Sequence, residues 1–152
     1  MNITQAEQEP MTKNQQRKLD KVAGLELIKT VLPKYYPQCF NINAIKPLKI
    51  GIYDDIRTEH PELNEKVLKV AIQIYCGRMD YLRCCVSSQY RIDLQGNEVE
   101  AITEKNIKHS QQRLQQHADK VKKEKDRKRA YKQVEAEAKR KKIEKLKQKK
   151  GS

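Results

Sequence analysis

The feature that most limits this chain is where its charge sits. Residues 105 to 150 carry 19 Lys/Arg against 6 Asp/Glu, a net of +13, whereas the remainder carries 14 of each and is neutral. A segment so charged repels itself on collapse and has few apolar residues to offset the entropy of ordering, so any hydrophobic core must come from elsewhere. With the last stretch of roughly thirty residues and the polar N-terminal residues both set aside, about 100 remain to fold, which is room for one core and not for two. The cationic arm attracts a polyanion with little regard for sequence, which leaves selectivity to the neutral body.

Phe occurs once, at Phe40, and Trp never, so that core is expected to be aliphatic, with seven Tyr as its aromatic component. No apolar run approaches the ~18 residues of a membrane span, and the first residues lack the basic, apolar and small-residue succession of a signal peptide. A cytoplasmic location without a membrane partner is expected. Cys39, Cys76, Cys84 and Cys85 contain no C-x-x-C pair, which points to reduced, structural thiols.

The polar, Gln-rich residues 1–16 are expected to be disordered, 17–121 to form the folded domain, and 122–152 to be a basic low-complexity tail. Asp20 reads as an N-cap, after which Val22, Leu25, Ile28 and Leu32 recur at helical spacing until Pro33 ends the first helix. The aromatics of Tyr35, Tyr36 and Phe40 are expected to plug an edge of the core. Asn43 reads as the cap of a second helix, with Pro47 in its first turn and Leu48, Ile52 and Ile56 four residues apart. Gly51 then lies inside that helix at a cost of about 1 kcal/mol, which a close approach to another backbone would compensate.

Asn64 caps a third helix whose Val67, Leu68, Ala71, Ile72 and Tyr75 face inward, with Lys66, Lys69 and Gln73 opposite and Gly77 as its stop. The period then changes to two. Tyr81 to Val86 reads as a strand, in which Cys84 and Cys85 face opposite sides, so that at most one is buried. Arg91 to Leu94 reads as another, returned by a Gln95-Gly96-Asn97 turn to Val99 and Ala101. Thr103 caps a fourth helix carrying Ile107, Leu114, Ala118 and Val121. Past Val121, acid-then-base pairs at four-residue spacing support only a fluctuating, solvated helix. The fold class is α+β: a compact, mostly helical single domain with a small antiparallel sheet and a basic tail.

Catalytic chemistry finds little purchase. His60, His109 and His117 are scattered, and there is no Gly-rich phosphate loop and no G-x-S-x-G elbow. Asp54 and Asp55 are adjacent, project about 100° apart on a helix, and have no third carboxylate at a useful spacing, so a salt bridge is preferred to a magnesium site. The chain is expected to bind, with no catalytic residue, cofactor or metal.

One region carries a resemblance. The run Pro47-Leu48-Lys49-Ile50-Gly51-Ile52-Tyr53, then Tyr75, Tyr81-Leu82, Tyr90-Arg91-Ile92-Asp93-Leu94 and Gly96-Asn97, preceded by Tyr36-Pro37-Gln38-Cys39-Phe40, resembles the ProQ/FinO family of bacterial RNA chaperones. The match spans about residues 20 to 120 in order. It implies a compact α+β domain that holds the 3′ side of structured RNAs: the base of a terminator-like hairpin and its short single-stranded tail.

Carried over by motif, the resemblance places a Lys, a Tyr and an Arg at the centre of the RNA pocket, here Lys49, Tyr81 and Arg91. Asn64 and Lys66 at the start of the third helix, with Glu65 between them and Lys69 one turn on, would meet duplex phosphates. Chemistry agrees: a Tyr offers a stacking face and a hydroxyl, Arg a planar fork for phosphate, Lys a compact charge, and a helix N-terminus free amides. By position alone, Lys49 reads first as a solvated helix residue and Arg91 as a bridge to Asp93 or Asp80, while Tyr53 reads evenly as core or RNA contact. Glu65 suits the helix dipole but repels phosphate.

The function implied is a monomeric RNA chaperone that protects small RNAs and promotes duplex formation or strand exchange in post-transcriptional regulation. The alternative is a basic docking protein on the ribosome or another ribonucleoprotein, without 3′-end selectivity.

Overall fold

A computed structural model describes residues 9–150; the disorder expected for residues 1–8 falls outside them. Helix α1 spans Lys13–Glu26, so it starts well before Asp20 and takes in residues assigned above to a disordered segment. The cause is a capping box. Thr12 Oγ1 accepts from the Gln15 N–H at 3.2 Å while Gln15 Oε1 accepts from the Thr12 N–H at 2.9 Å, satisfying two amides that a helix start leaves orphaned.

Pro33 does not end this helix. The chain widens into a π-turn over Leu27–Val31, where the Leu32 N–H reaches back five residues to the Leu27 carbonyl, and resumes as α2, Leu32–Tyr35. Pro33 lies in the first turn of α2, where a missing N–H costs little. Ile28 and Leu32 are buried as expected, but Val22, six residues and thus about 120° around the helix from Ile28, is exposed. Gly24 takes an inward position because α1 crosses α4 closely. A Cβ there would lie 3.1 Å from the Ala71 backbone nitrogen and 3.2 Å from Val70 Cγ1.

The second helix is shorter than its spacing predicts. Only Ile52–Glu59 is helical (α3); Pro47 to Lys49 run beside Ile92 instead. Ile92 N–H donates to Pro47 O and Lys49 N–H to Ile92 O, both at 2.8 Å, making a parallel bridge between Leu48 and Ile92. Gly51 is the N-cap of α3 with φ +86°, and a Cβ there would touch nothing within 4 Å. Its need for glycine is dihedral, not the close backbone contact expected above.

Helix α4, Glu65–Cys76, follows the expectation: the Asn64 side chain accepts from the Val67 N–H, Leu68, Ala71 and Tyr75 are buried, and Gly77 closes it. The next segment corrects one. Met79–Ser87 is helix α5, and Tyr81, Leu82 and Cys85 form its buried stripe at i, i+1 and i+4. Over six residues an alternating and a helical pattern overlap, and packing decided between them. Cys85 is buried and Cys84 half-buried, with the Cys84 thiol donating to the Ile45 carbonyl at 2.9 Å, so the thiols differ because of helix rotation and not strand alternation.

Strands β1, Tyr90–Ile92, and β2, Glu98–Ala101, form the expected antiparallel hairpin, pairing Tyr90 with Ala101, Arg91 with Glu100, and Ile92 with Glu98 around a bulge. Asp93 Oδ1 accepts from the amides of Gln95 and Asn97 and so pins the turn. The core gathers Ile28, Leu32, Leu48, Ile52, Ile56, Leu68 and Ile92, threaded by edge-on aromatic contacts from Phe40 to Tyr75 (5.2 Å between ring centroids) and Tyr75 to Tyr81 (5.8 Å). Tyr36 and Phe40 are buried, as expected of a core-edge plug, but Tyr35 is exposed and stacks on His60 outside the core.

Helix α6 runs unbroken over Glu104–Lys150, started by Thr103, whose hydroxyl accepts from the Asn106 N–H. The chain divides into two compact units, one ending at Gln111 and one beginning at Gln112. In the first, α6 buries Ser110 and half-buries Ile107; in the second, Leu114 is half-buried, while Ala118 and Val121, expected to pack, are exposed. The arm past Val121 is helical throughout its described length, where a fluctuating segment was expected.

Candidate nucleic-acid interface

Tyr81 on α5 and Arg91 on β1 both bond to the backbone of Leu48, the residue before Lys49. Leu48 N–H donates to the Tyr81 hydroxyl at 3.0 Å, and Leu48 O accepts from Arg91 Nη1 at 3.0 Å. The next residue is Lys49, whose ammonium lies 2.8 Å from Asp55 Oδ2 on the first turn of α3. Leu48 is itself buried, so leaving either of its polar groups unpaired would be costly. The strip from Pro47 to Ile50 is thus held by its backbone against β1 and α5, and presents Lys49 outward beside Gly51 and the start of α3.

Each side chain contributes differently from its sequence expectation. Tyr81 is 5% exposed, with its ring edge-on to Tyr75, so it has no open face for a base to stack on; its hydroxyl positions the loop. Burial pushes that hydroxyl well above the ordinary phenol range and keeps it protonated. Arg91 pairs with neither Asp93 nor Asp80. Asp93 serves the hairpin turn, Asp80 pairs with Arg78 at 3.1 Å, and Arg91 braces Leu48. Its Nε is buried without a hydrogen-bond partner in this structure. Lys49 is half-exposed, and its hydrogen bond to Asp55 holds the ammonium above the usual lysine value.

A second surface lies at the start of α4. The Asn64 side chain is spent on its cap, while Lys66 and Lys69 are exposed on the outward face. Tyr53 links this surface to the loop: it is half-buried against the core, and its hydroxyl donates to the Glu65 carbonyl at 3.3 Å. Tyr53 therefore serves the core and the approach to α4 at once.

The described chain is similar to proteins of known family. The model for the ProQ/FINO family matches residues 23–150. The chain belongs to the ProQ/FinO family. Among curated relatives, it is 36% identical over 94 residues to a protein of Idiomarina loihiensis named RNA chaperone ProQ, covering 59% of this chain and 45% of that one. A protein of the same name from Aeromonas salmonicida is 31% identical over 106 residues, covering 67% and 50%. The chain thus spans about half the length of the curated relatives it matches. The solution structure of a ProQ homolog from Legionella pneumophila superposes with a TM-score of 0.53 at 34% identity, covering 61% of this chain and 81% of that one.

Within this ProQ/FinO fold, three contributors went unremarked as site residues in the sequence. Leu48 appeared as a helix position and within the family run, with no role of its own, yet its backbone takes the bonds from both Tyr81 and Arg91. Asp55 was weighed only for magnesium or a helix-face ion pair, and its partner Lys49 lies before the helix. Glu100 donates no signal by composition, but its side chain accepts from the Ile50 N–H at 2.8 Å. Glu100 stands opposite Arg91 only because of the bulge between Arg91 and Ile92; the register of the turn, which pairs Ile92 with Glu98, would put Val99 there, so no local signal gives it.

Proposed function

We propose that this chain is an RNA chaperone whose body holds the 3′ side of a structured RNA, a terminator-like hairpin with a short single-stranded tail, and whose arm, residues 122–152, promotes pairing of bound RNAs. The observation that carries this reading is that Tyr81 and Arg91 hold the backbone of Leu48, directly before the outward-facing Lys49, in a family whose curated members are named RNA chaperones. A rigid loop presenting one cation beside a helix start suits the phosphates of a chain end, and Lys66 and Lys69 suit the backbone of the adjoining duplex. An A-form major groove is too narrow for side chains to read, so recognition of shape and terminus is the economical route to selectivity. The arm lowers repulsion between two RNA strands and raises their encounter rate in a salt-dependent way.

Titration of the full chain with one hairpin in two forms tests this. A hairpin with a free 3′ hydroxyl and its tail is expected to outcompete the same hairpin trimmed of the tail, and Lys49→Ala is expected to erase that preference while leaving the melting temperature unchanged. Equal binding of both forms by the wild-type protein would instead fit a docking protein without end selectivity.

A further inference from the structure

The loop that presents Lys49 has one more main-chain donor, and a carboxylate already holds it. The Ile50 N–H donates to Glu100 Oε1 at 2.8 Å, beside the 2.8 Å contact of Lys49 Nζ with Asp55 Oδ2. An amide N–H and an ammonium on adjacent residues are the donors a phosphodiester would bridge, and each is engaged by a protein carboxylate oxygen instead. The surroundings are open to a ligand: the Ile50 side chain is 65% exposed, and nothing lies within 4 Å of the place a Gly51 Cβ would take. Glu100 is held opposite Arg91 by the hairpin register, yet Arg91 turns to Leu48, so the Glu100 carboxylate is directed to the loop amide.

We propose that Glu100 is an internal competitor for the RNA phosphate: its carboxylate occupies the Ile50 N–H in the RNA-free protein and yields it to a phosphodiester oxygen of the bound chain end. The inference rests on the RNA-end reading above and assigns one subsite within it, the Ile50 N–H together with the Lys49 ammonium. Exchange of carboxylate for phosphate on the same amide conserves that hydrogen bond, so a ligand wins only by adding contacts elsewhere. Glu100 therefore sets the affinity of this one subsite, which only an RNA with a tail reaches.

The test compares full-length wild type, Glu100→Gln and Glu98→Gln on the tailed and the trimmed hairpin. Gln keeps an oxygen for the Ile50 N–H and removes only the charge; Glu98 is an exposed residue of the same strand and controls for net charge. Glu100→Gln is expected to bind the tailed hairpin about three- to tenfold more tightly, with less than about a twofold gain on the trimmed one and for Glu98→Gln on either. Replacing the last phosphodiester by a neutral methylphosphonate is expected to abolish the Glu100→Gln gain. Unchanged or weaker tailed binding, an equal gain for Glu98→Gln, or a gain that survives the methylphosphonate would each overturn the competitor role. A wild-type protein that does not prefer the tailed hairpin would overturn the RNA-end reading itself.

Discussion

The loop around Leu48 and the helical arm are both cationic places, but they hold charge in opposite ways. In the loop, Lys49 is tied to Asp55 and Arg91 to a backbone carbonyl, so each cation is oriented before a ligand arrives. In the arm, 15 Lys/Arg lie between residues 122 and 150 on exposed helix, and the ion pairs it shows are one-turn contacts such as Lys139 with Glu135 at 3.6 Å and Lys141 with Glu137 at 3.5 Å. Exposed pairs of that kind hold little and are screened by salt. Orientation favours discrimination, whereas loose charge density gives attraction without it.

The largest expected effect separates the two regions directly. Deleting residues 122–152 removes cations that release counterions from any RNA, so annealing of complementary strands is expected to slow by about 100-fold and the salt dependence of binding to flatten. Hairpin affinity is expected to fall by no more than about tenfold, with the ratio between tailed and trimmed hairpins unchanged. Stopped-flow annealing and a salt series of binding isotherms measure both. Equal loss of annealing and of tail preference would break the division of labour.

A second, smaller effect sharpens the body's side of the comparison. Tyr81→Phe keeps the ring in the core but removes the acceptor of the Leu48 N–H, a buried donor. An orphaned buried amide costs about 1–3 kcal/mol, so denaturant unfolding should show a loss in that range, accompanied by weaker discrimination of the tailed hairpin. A variant as stable as wild type would mean that the hydroxyl does not hold the loop. Because stability and recognition move together at Tyr81, Lys49→Ala is the cleaner probe of binding.

How much of this was legible depended on whether the signal was local. Helix α4 could be read because its cap, its stripe and its glycine stop all lie within one segment, and the hairpin because its turn residues impose the register. The alternative was equally local for Tyr81 to Val86, where six residues satisfy two periods; only burial against Tyr75 and Leu48 selects the helix. The strip from Pro47 to Ile50 was misread because its partner, Ile92, is more than forty residues away, and a parallel bridge leaves no spacing signature in either segment. Lys49, Tyr81 and Arg91 were singled out by family resemblance, and the hold of Tyr81 and Arg91 on the Leu48 backbone, with Glu100 on the Ile50 amide, was visible only in three dimensions.

The smallest expected effect concerns the corner that lets the loop end in a helix. Gly51 sits at φ +86°, a left-handed conformation that an L-residue with a Cβ adopts at a cost of about 1–2 kcal/mol, and there is open space where that Cβ would go. Gly51→Ala is therefore expected to lower stability by about 1 kcal/mol through the dihedral alone, with no clash to relieve. The strain falls between Ile50, whose N–H meets Glu100, and the first turn of α3, which carries Asp55, so part of it should appear as a shift in the loop's presentation of Lys49. Unfolding by denaturant together with the tailed-to-trimmed affinity ratio reads both consequences. The arm supplies the contrast, since Ala130→Gly on its exposed helix changes a propensity of similar size but touches no oriented cation, and should leave that ratio where it was. If the two substitutions lower discrimination equally, selectivity does not depend on the loop being held in place.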